Sequence, residues 1–329
     1  MSLPTHGVTA SPESGPAPEW AAAVIASRES CEVLMRTLDA LAHAAVRPLL
    51  VDVVINGNDE LALACARRLS PRPALWPAAL QLRVWSLALG DKAHAINTYV
   101  HQLWPGAPVS FFVDGYARVR PDALQQLATT LAAHQPEALA AAALPTSGRG
   151  AAAVTADLHT HGGLHGNLFA LGAPALQTMR SLGFRLPLGL YRVDSTLAAA
   201  LAFRLEPGRF EWAVKRNIVF APQARWDVDA GPWWRPATWQ AHAKRRQRQA
   251  QGDLENWAVR HWLLLNRRPA EGLAPTVEAL VQGWAQQDPA GFAERLQGGA
   301  RRRQAWQRLS QPAPDRSAAA TPPQLVIHV

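Results

Sequence analysis

The chain has 329 residues, 48% hydrophobic and 18% charged, which is enough apolar material for a sizeable core and excludes an intrinsically disordered polymer. No apolar run approaches the roughly 20 residues a membrane-spanning helix needs, and the alanine-rich runs at 138–144 and 198–203 are too short. Two cysteines, Cys31 and Cys65, make no disulfide framework, and residues 1–19 lack the order of a signal peptide, so a reducing, cytoplasmic location is expected.

Residues 1–19 carry Pro4, Pro12, Pro16 and Pro18 and are expected to be a disordered lead. Residues 21–25 are an apolar run of one buried strand's length. A helical pattern follows in Val33, Leu34, Leu38 and Leu41, with Ser30 as its N-cap. A second buried strand at 49–55 ends in the turn Asn56-Gly57-Asn58-Asp59 and leads into a helix over 60–69. A strand at 81–88, a helix at 91–103, a strand at 109–113 and a helix at 121–134 complete the series. Strand and helix thus alternate four times with short connections, the order of an α/β fold with a mostly parallel sheet flanked by helices. Ligands bind such sheets beyond the C-terminal ends of the strands. Here those ends offer Ser27, Arg28, Asn56, Asn58 and Asp114, all polar.

From 138 to 230 the pattern is mixed. Glycine-rich patches at 148–150 and 161–166 read as loops, 168–171 as a strand and 194–203 as a helix. His159, His161 and His165 fall in the second loop, where contact with an acceptor or with solvent is expected ahead of zinc. Beyond 231 the chain reads as helices over 232–259, 276–284 and 291–309, then a proline- and alanine-rich stretch over 311–323 and an apolar segment at 324–329 that could dock, though nothing in the sequence forces it. The expected division is a lead (1–19), a main domain (20–230), a basic helical extension (231–310) and a largely disordered tail (311–329).

The net charge of +8 is uneven along this division. Residues 1–230 hold 19 Lys+Arg against 18 Asp+Glu, whereas 231–329 hold 14 against 7. Trp233, Trp234, Trp239, Trp257, Trp262, Trp284 and Trp306 lie in the second part. A basic, Trp-rich section of this kind suits a phosphate-bearing ligand or an anionic membrane surface. No nucleic-acid motif accompanies it, and the body is close to neutral, so no specific nucleic acid is expected.

Seven segments stand out in order: Val24-Ile25-Ala26-Ser27-Arg28-Glu29, Val53-Val54-Ile55-Asn56-Gly57-Asn58-Asp59, the stretch from Lys92 to Asn97, Asp114-Gly115-Tyr116, Pro121-Asp122-Ala123-Leu124, Gly166-Asn167-Leu168-Phe169-Ala170-Leu171 and Val193-Asp194-Ser195-Thr196-Leu197. Together they resemble the segments of a family-2 glycosyltransferase with the GT-A fold. The resemblance covers about residues 20–250. It implies an inverting transfer of a sugar from a nucleotide-diphosphate donor to a saccharide or lipid-linked acceptor. Asp194 is then the general base that takes the acceptor's proton. Ser27, Arg28, Asn56, Asn58, Lys92, Asn97, Asp114 and Tyr116 fall on the donor side, and His165, Gly166 and Asn167 on the acceptor side.

The same resemblance implies a divalent cation, Mg²⁺ or Mn²⁺, with Asp114 as a ligand. The family offers a second Asp two residues on, where this chain has Tyr116. Either the diphosphate supplies most of a weakly held cation's ligands, or cations of the protein replace it. Arg245 and Arg248, in the densest basic cluster, are the candidates for such a phosphate clamp. The same departure keeps open a non-catalytic GT-A-like module that binds nucleotide-sugar without turnover. A cytoplasmic enzyme held peripherally at the inner face of the membrane is the expected setting.

Overall fold

The computed structural model describes residues 18–146, 150–228 and 236–329, with 236–245 by backbone alone. Most of the expected lead, residues 147–149, Trp233, Trp234 and the side chains of Trp239 and Arg245 lie outside what is described.

The first half follows the expected alternation: β1 (Trp20–Ala26), α1 (Cys31–Ala44), β2 (Leu49–Asn56), α2 (Asp59–Leu69), β3 (Leu80–Leu87), α3 (Lys92–Thr98), β4 (Val109–Asp114), β5 (Ala117–Val119) and α4 (Ala123–Ala133). The local reasons are visible. Ser30 accepts from the Val33 N–H at 3.3 Å to cap α1, and Asn58 accepts from the Leu61 N–H at 3.0 Å to cap α2. Asp91 caps α3 through the His94 N–H at 2.9 Å. The helix expected over 91–103 changes after Thr98 into a π turn over Tyr99–Leu103, closed by the Trp104 N–H donating to the Tyr99 carbonyl at 2.8 Å.

The rest comprises β6 (Ala140–Pro145), α5 (Ala151–His161), β7 (Leu168–Gly172), α6 (Ala173–Leu182), α7 (Val193–Ala202), α8 (Val214–Asn217), β8 (Ile218–Val228), α9 (Pro236–Arg260), α10 (Val277–Gln287), α11 (Pro289–Gln297), α12 (Ala300–Leu309) and β9 (Gln324–His328). The alanine-rich run near 140 is strand β6, whose small side chains suit its place between β7 and β8.

Among the described residues the strands form one nine-stranded sheet in the order β5-β8-β6-β7-β4-β1-β2-β3-β9. Its centre, β3-β2-β1-β4, is parallel; β7 runs antiparallel between β4 and β6, and β6 pairs parallel with β8. This is an α/β sheet covered by helices on both faces, consistent with the GT-A arrangement that the resemblance implies. β1 and β2 are buried along their whole length, as continuous apolar runs in a parallel sheet must be. Asp52, the one charge in β2, is fully buried and held by the Arg83 guanidinium at 2.7 and 2.9 Å and by the Trp85 indole N–H at 2.7 Å.

One face of the sheet packs on α1, α2 and α4 through Leu34, Leu38, Leu61, Leu124 and Leu127. The other packs on α3, α6 and α7, and the same core continues into α9–α12 through Leu254, Val259, Leu280, Trp284 and Phe292. The Phe292 ring meets Trp284 and Trp306 edge-on, at 4.9 and 4.7 Å between centroids. The C-terminal helices therefore share the hydrophobic core of the body.

The largely disordered tail expected over 311–329 is corrected by the structure. Ser317–Ala320 forms a 3-10 turn, and β9 pairs antiparallel with β3. The N–H groups and carbonyls of β3 supply partners for an apolar terminal segment, and Val326, Ile327 and Val329 pack against the core. Arg316 adds a two-pronged ion pair to Glu278, at 2.9 Å for each contact.

Candidate functional site

The parallel register brings the ends of three strands to one edge: Ile25 stands opposite Asp114 and Ala26 opposite Ile55. β7 begins at the same edge, with Leu168 opposite Val113. The turns after β1 and β2 are tied together there. The Ser27 hydroxyl donates to the Asn56 carbonyl at 2.8 Å, the Asn56 amide donates to the Ala26 carbonyl at 2.8 Å, and the Asn58 amide donates to the Ser27 carbonyl at 2.7 Å. The Asn56 side chain is buried in this work, and that of Asn58 also caps α2. The two asparagines thus shape a rim from neutral amides. Arg28 is exposed on that rim, and the Glu29 carboxylate accepts from the Ser27 and Arg28 N–H groups at 2.7 and 2.9 Å.

Asn97 does not join them. It is buried, and its amide makes a reciprocal pair with the Leu186 backbone, at 2.9 Å each way. It fastens α3 to the segment after α6, which corrects the donor-side role expected of it.

Deeper in the edge the chemistry turns ionic. β4 stops at Asp114 because Gly115 passes against β1, where an added Cβ would lie 2.7 Å from the Ala26 Cβ. The Lys92 ammonium, from the first turn of α3, donates to Asp114 Oδ1. The Tyr116 hydroxyl donates to Asp114 Oδ2 at 3.0 Å and lies 3.3 Å from Asn167 Oδ1. Asp114 is thus engaged on both oxygens, while the Lys92 side chain stays 35% exposed. Burial alone pulls the Lys92 pKa down, but the charges of Asp114, Asp194 and Glu29 outweigh it and carry it above the ordinary lysine range. Burial and the Asp114 charge push the Tyr116 hydroxyl up, so it remains a neutral phenol.

Asp194 reaches the same cluster from the first turn of α7. Its Oδ2 accepts from the Gly166 N–H at 3.1 Å and its Oδ1 from the Ser195 N–H at 3.0 Å. A carboxylate offers about four acceptor sites, so two remain. Gly166 is where the centre closes: a Cβ there would stand 3.1 Å from the Lys92 ammonium nitrogen and 3.6 Å from Asp194 Oδ2. His165 stacks at 5.0 Å on Trp226, and burial lowers its pKa, so the ring is neutral near pH 7. Asn167 accepts from the Asp114 N–H through its carbonyl at 3.2 Å.

The loop before α7 is held from the C-terminal helices. Glu255, on α9, is fully buried, and its carboxylate accepts from the N–H of Tyr191 at 3.0 Å, of Arg192 at 2.8 Å and from the Gln251 amide at 2.7 Å. Burial pushes its pKa up. Arg248, an expected clamp residue, is exposed with its guanidinium 5.5 Å from the Tyr191 ring centroid. The basic helix therefore does lie beside the segment that carries Asp194. Glu255, Gln251 and Trp226 were missed in the sequence, since none has a local motif and each meets a partner far along the chain, Tyr191, Gly189 and His165 respectively; the carboxylate of Glu29, inside a resembling segment, turns back onto its own two neighbours.

His159 and His161 sit on α5 and not in a loop, with His161 bonded to Asp157 at 2.9 Å and His159 against Phe220 at 4.4 Å. Among the described residues no three His, Cys, Asp or Glu side chains stand close enough to hold a metal ion. The donors around Asp114 consist of one ion-paired carboxylate, a phenol and an amide, which do not fit a resident divalent cation.

No family model matches the chain, and no curated protein is significantly similar to it. Among solved structures, residues 1–349 of TarS from S. aureus in complex with UDP-GlcNAc are similar at 12% identity over 88% of this chain and 79% of that chain, with a TM-score of 0.49. S. aureus TarS in a longer form shares 13% identity over 85% of this chain and 44% of that chain, with a TM-score of 0.46. Glucosyl-3-phosphoglycerate synthase from Mycobacterium tuberculosis, in complex with Mn²⁺, UDP and glucosyl-3-phosphoglycerate, shares 14% identity over 71% of this chain and 78% of that chain, with a TM-score of 0.43. These likenesses are too distant to carry an argument about activity.

Proposed function

We propose that the chain is an inverting glycosyltransferase of the GT-A type that moves a sugar from a nucleotide-diphosphate donor to a saccharide or lipid-linked acceptor. The observation that carries this reading is the meeting of Lys92, Asp114, Gly166 and Asp194, from four separate segments, at the C-terminal edge of the parallel strands. The acceptor hydroxyl attacks the anomeric carbon as the bond from that carbon to the diphosphate oxygen breaks. The hydroxyl proton passes to a free lone pair of Asp194, and the bonding electrons leave with the diphosphate. Lys92 faces the leaving charge. Ser27, Arg28 and the asparagine-built rim receive the nucleoside end, and His165, Gly166 and Asn167 border the acceptor.

Among the described residues no helix is long and apolar enough to cross a membrane. Arg301, Arg303 and Arg308, exposed on α12, suit peripheral attachment to anionic lipid at a cytoplasmic membrane face, whereas the described tryptophans of the C-terminal helices pack into the core. Turnover across a panel of UDP- and GDP-sugars tests the activity. Asp194→Asn is expected to lower kcat by roughly 10²–10⁴ while leaving donor affinity in place. A variant as active as the parent removes Asp194 as the base.

A second reading, a nucleotide-sugar-binding module without turnover, is favoured by two observations: Tyr116 replaces a carboxylate, and both Asp194 oxygens already accept backbone N–H groups. Calorimetry with UDP together with the turnover panel separates the two, since only a module binds UDP and turns over no donor.

A further inference from the structure

We infer that Lys92 takes the place of a divalent cation in this site, so that the protein's own ammonium meets the donor's diphosphate and no metal ion is required. This rests on the reading of the edge as a nucleotide-diphosphate site.

Asp114 is the carboxylate best placed to hold a cation at the end of β4. One of its oxygens already accepts from Lys92 and the other from Tyr116. A metal ion would have to displace the ammonium, and would find a phenol where a second carboxylate is needed. Magnesium and manganese prefer hard, charged oxygen ligands, which a neutral phenol is not. The other two carboxylates near Lys92 are fixed by backbone N–H groups, Asp194 by Gly166 and Ser195, and Glu29 by Ser27 and Arg28. Those bonds fix their orientation, and among the described residues no three His, Cys, Asp or Glu side chains converge on one ion.

The ammonium, by contrast, suits the task. It has three donors, and Asp114 takes one. The glycine at 166 leaves open the space beside it, because any side chain there would begin 3.1 Å from its nitrogen. Lysine is a compact point charge that binds phosphate well. The surrounding carboxylates keep it charged throughout the working pH range.

The test uses the full chain and two probes, Mn²⁺ and UDP. Free Mn²⁺ is counted by electron paramagnetic resonance as the protein is titrated in, with and without UDP, and UDP affinity is measured by calorimetry in EDTA and in Mn²⁺. The expected result is that the protein lowers free Mn²⁺ in neither arm beyond the level set by buffer or by UDP alone, and that UDP affinity agrees within about twofold between EDTA and Mn²⁺. Lys92→Met is expected to weaken UDP binding by about tenfold or more. Uptake of one equivalent of Mn²⁺, or loss of UDP affinity in EDTA, overturns the inference. Both measurements on the parent chain stand even where the variant fails to fold. If UDP binds in neither arm, the donor site itself is refuted, while Mn²⁺ uptake by the protein alone still decides whether Asp114 belongs to Lys92 or to a metal.

Discussion

The rim and the centre of the site lie on the same sheet edge and are built on opposite principles. The rim, after β1 and β2, is tied together by neutral groups: Ser27, Asn56 and Asn58 direct side-chain donors to backbone carbonyls and hold two turns in register. The centre is ionic: Lys92, Asp114 and Asp194 gather charge that the fold must keep from collapsing on itself. The difference teaches which residues stabilise and which react. A side chain whose donors and acceptors all face backbone is part of the frame, whereas one that keeps a free donor or lone pair facing the open edge is available for chemistry.

Breaking the frame from outside has the largest expected effect on stability. Glu255→Ala removes the only side chain described as accepting from the Tyr191 and Arg192 N–H groups, and with it the support of the loop before Asp194. Bonds to a charged group are worth more than neutral ones, so a loss of about 3 kcal/mol in denaturant unfolding is expected, with kcat falling in the protein that remains folded. Unchanged stability would mean that α9 does not hold this loop.

Breaking the rim is milder. Asn56→Ala leaves the Ala26 carbonyl without its side-chain donor in a buried setting and is expected to cost about 1–3 kcal/mol. The contrast with Asp194→Asn is the point: the rim variant lowers stability more than the activity of the folded fraction, and the centre variant does the reverse. Equal effects on both measures in both variants would erase the distinction between frame and reacting group.

The smallest effect is a pH dependence. Burial holds the His165 pKa below its ordinary value of 6.5. As pH falls below about 6.5 the unfolded chain takes up a proton that folded His165 resists, so its share of the stability declines as the solution becomes acid. His165→Gln is expected to flatten the fall in melting temperature between about pH 7 and 5.5 relative to the parent. An identical slope in the two proteins would place His165 outside the buried centre.

The parallel half of the fold was legible because its signals are local. β1 and β2 are apolar runs, α1 has a serine cap, and turn residues separate the elements. The middle was not. Alanine suits helix as well as strand, so β6 is recognisable only from its neighbours, and β8 contains Pro222 and a register shift in its pairing with β6. α5 has apolar residues with no clear face, and its histidines read as a loop. In the candidate site, the resemblance singled out Lys92, Asp114 and Asp194, which the structure brings together, but the pairing of Lys92 with Asp114 was not legible, because it joins residues 22 positions apart across a sheet edge. Asn97 misled because it belongs to the same matching stretch as Lys92 and yet is buried against Leu186. Glu255 was invisible for the opposite reason: a buried carboxylate among helix-forming polar residues looks like any solvated one.

The strand formed by Gln324–His328 has a consequence for the edge of the sheet. β3 would otherwise present a row of unpaired N–H and C=O groups eight residues long, a template on which a second molecule can add a strand. β9 fills that template from within the same chain, with the Leu82 and Val329 backbones exchanging N–H bonds at 2.8 and 2.9 Å. The margin it leaves is only five residues long and breaks register at Val84 and Trp85, which makes it a poor seed for further pairing. The outer side of β3 is thus closed from within the chain along a strand whose first residue, Gln324, stands opposite Ser86.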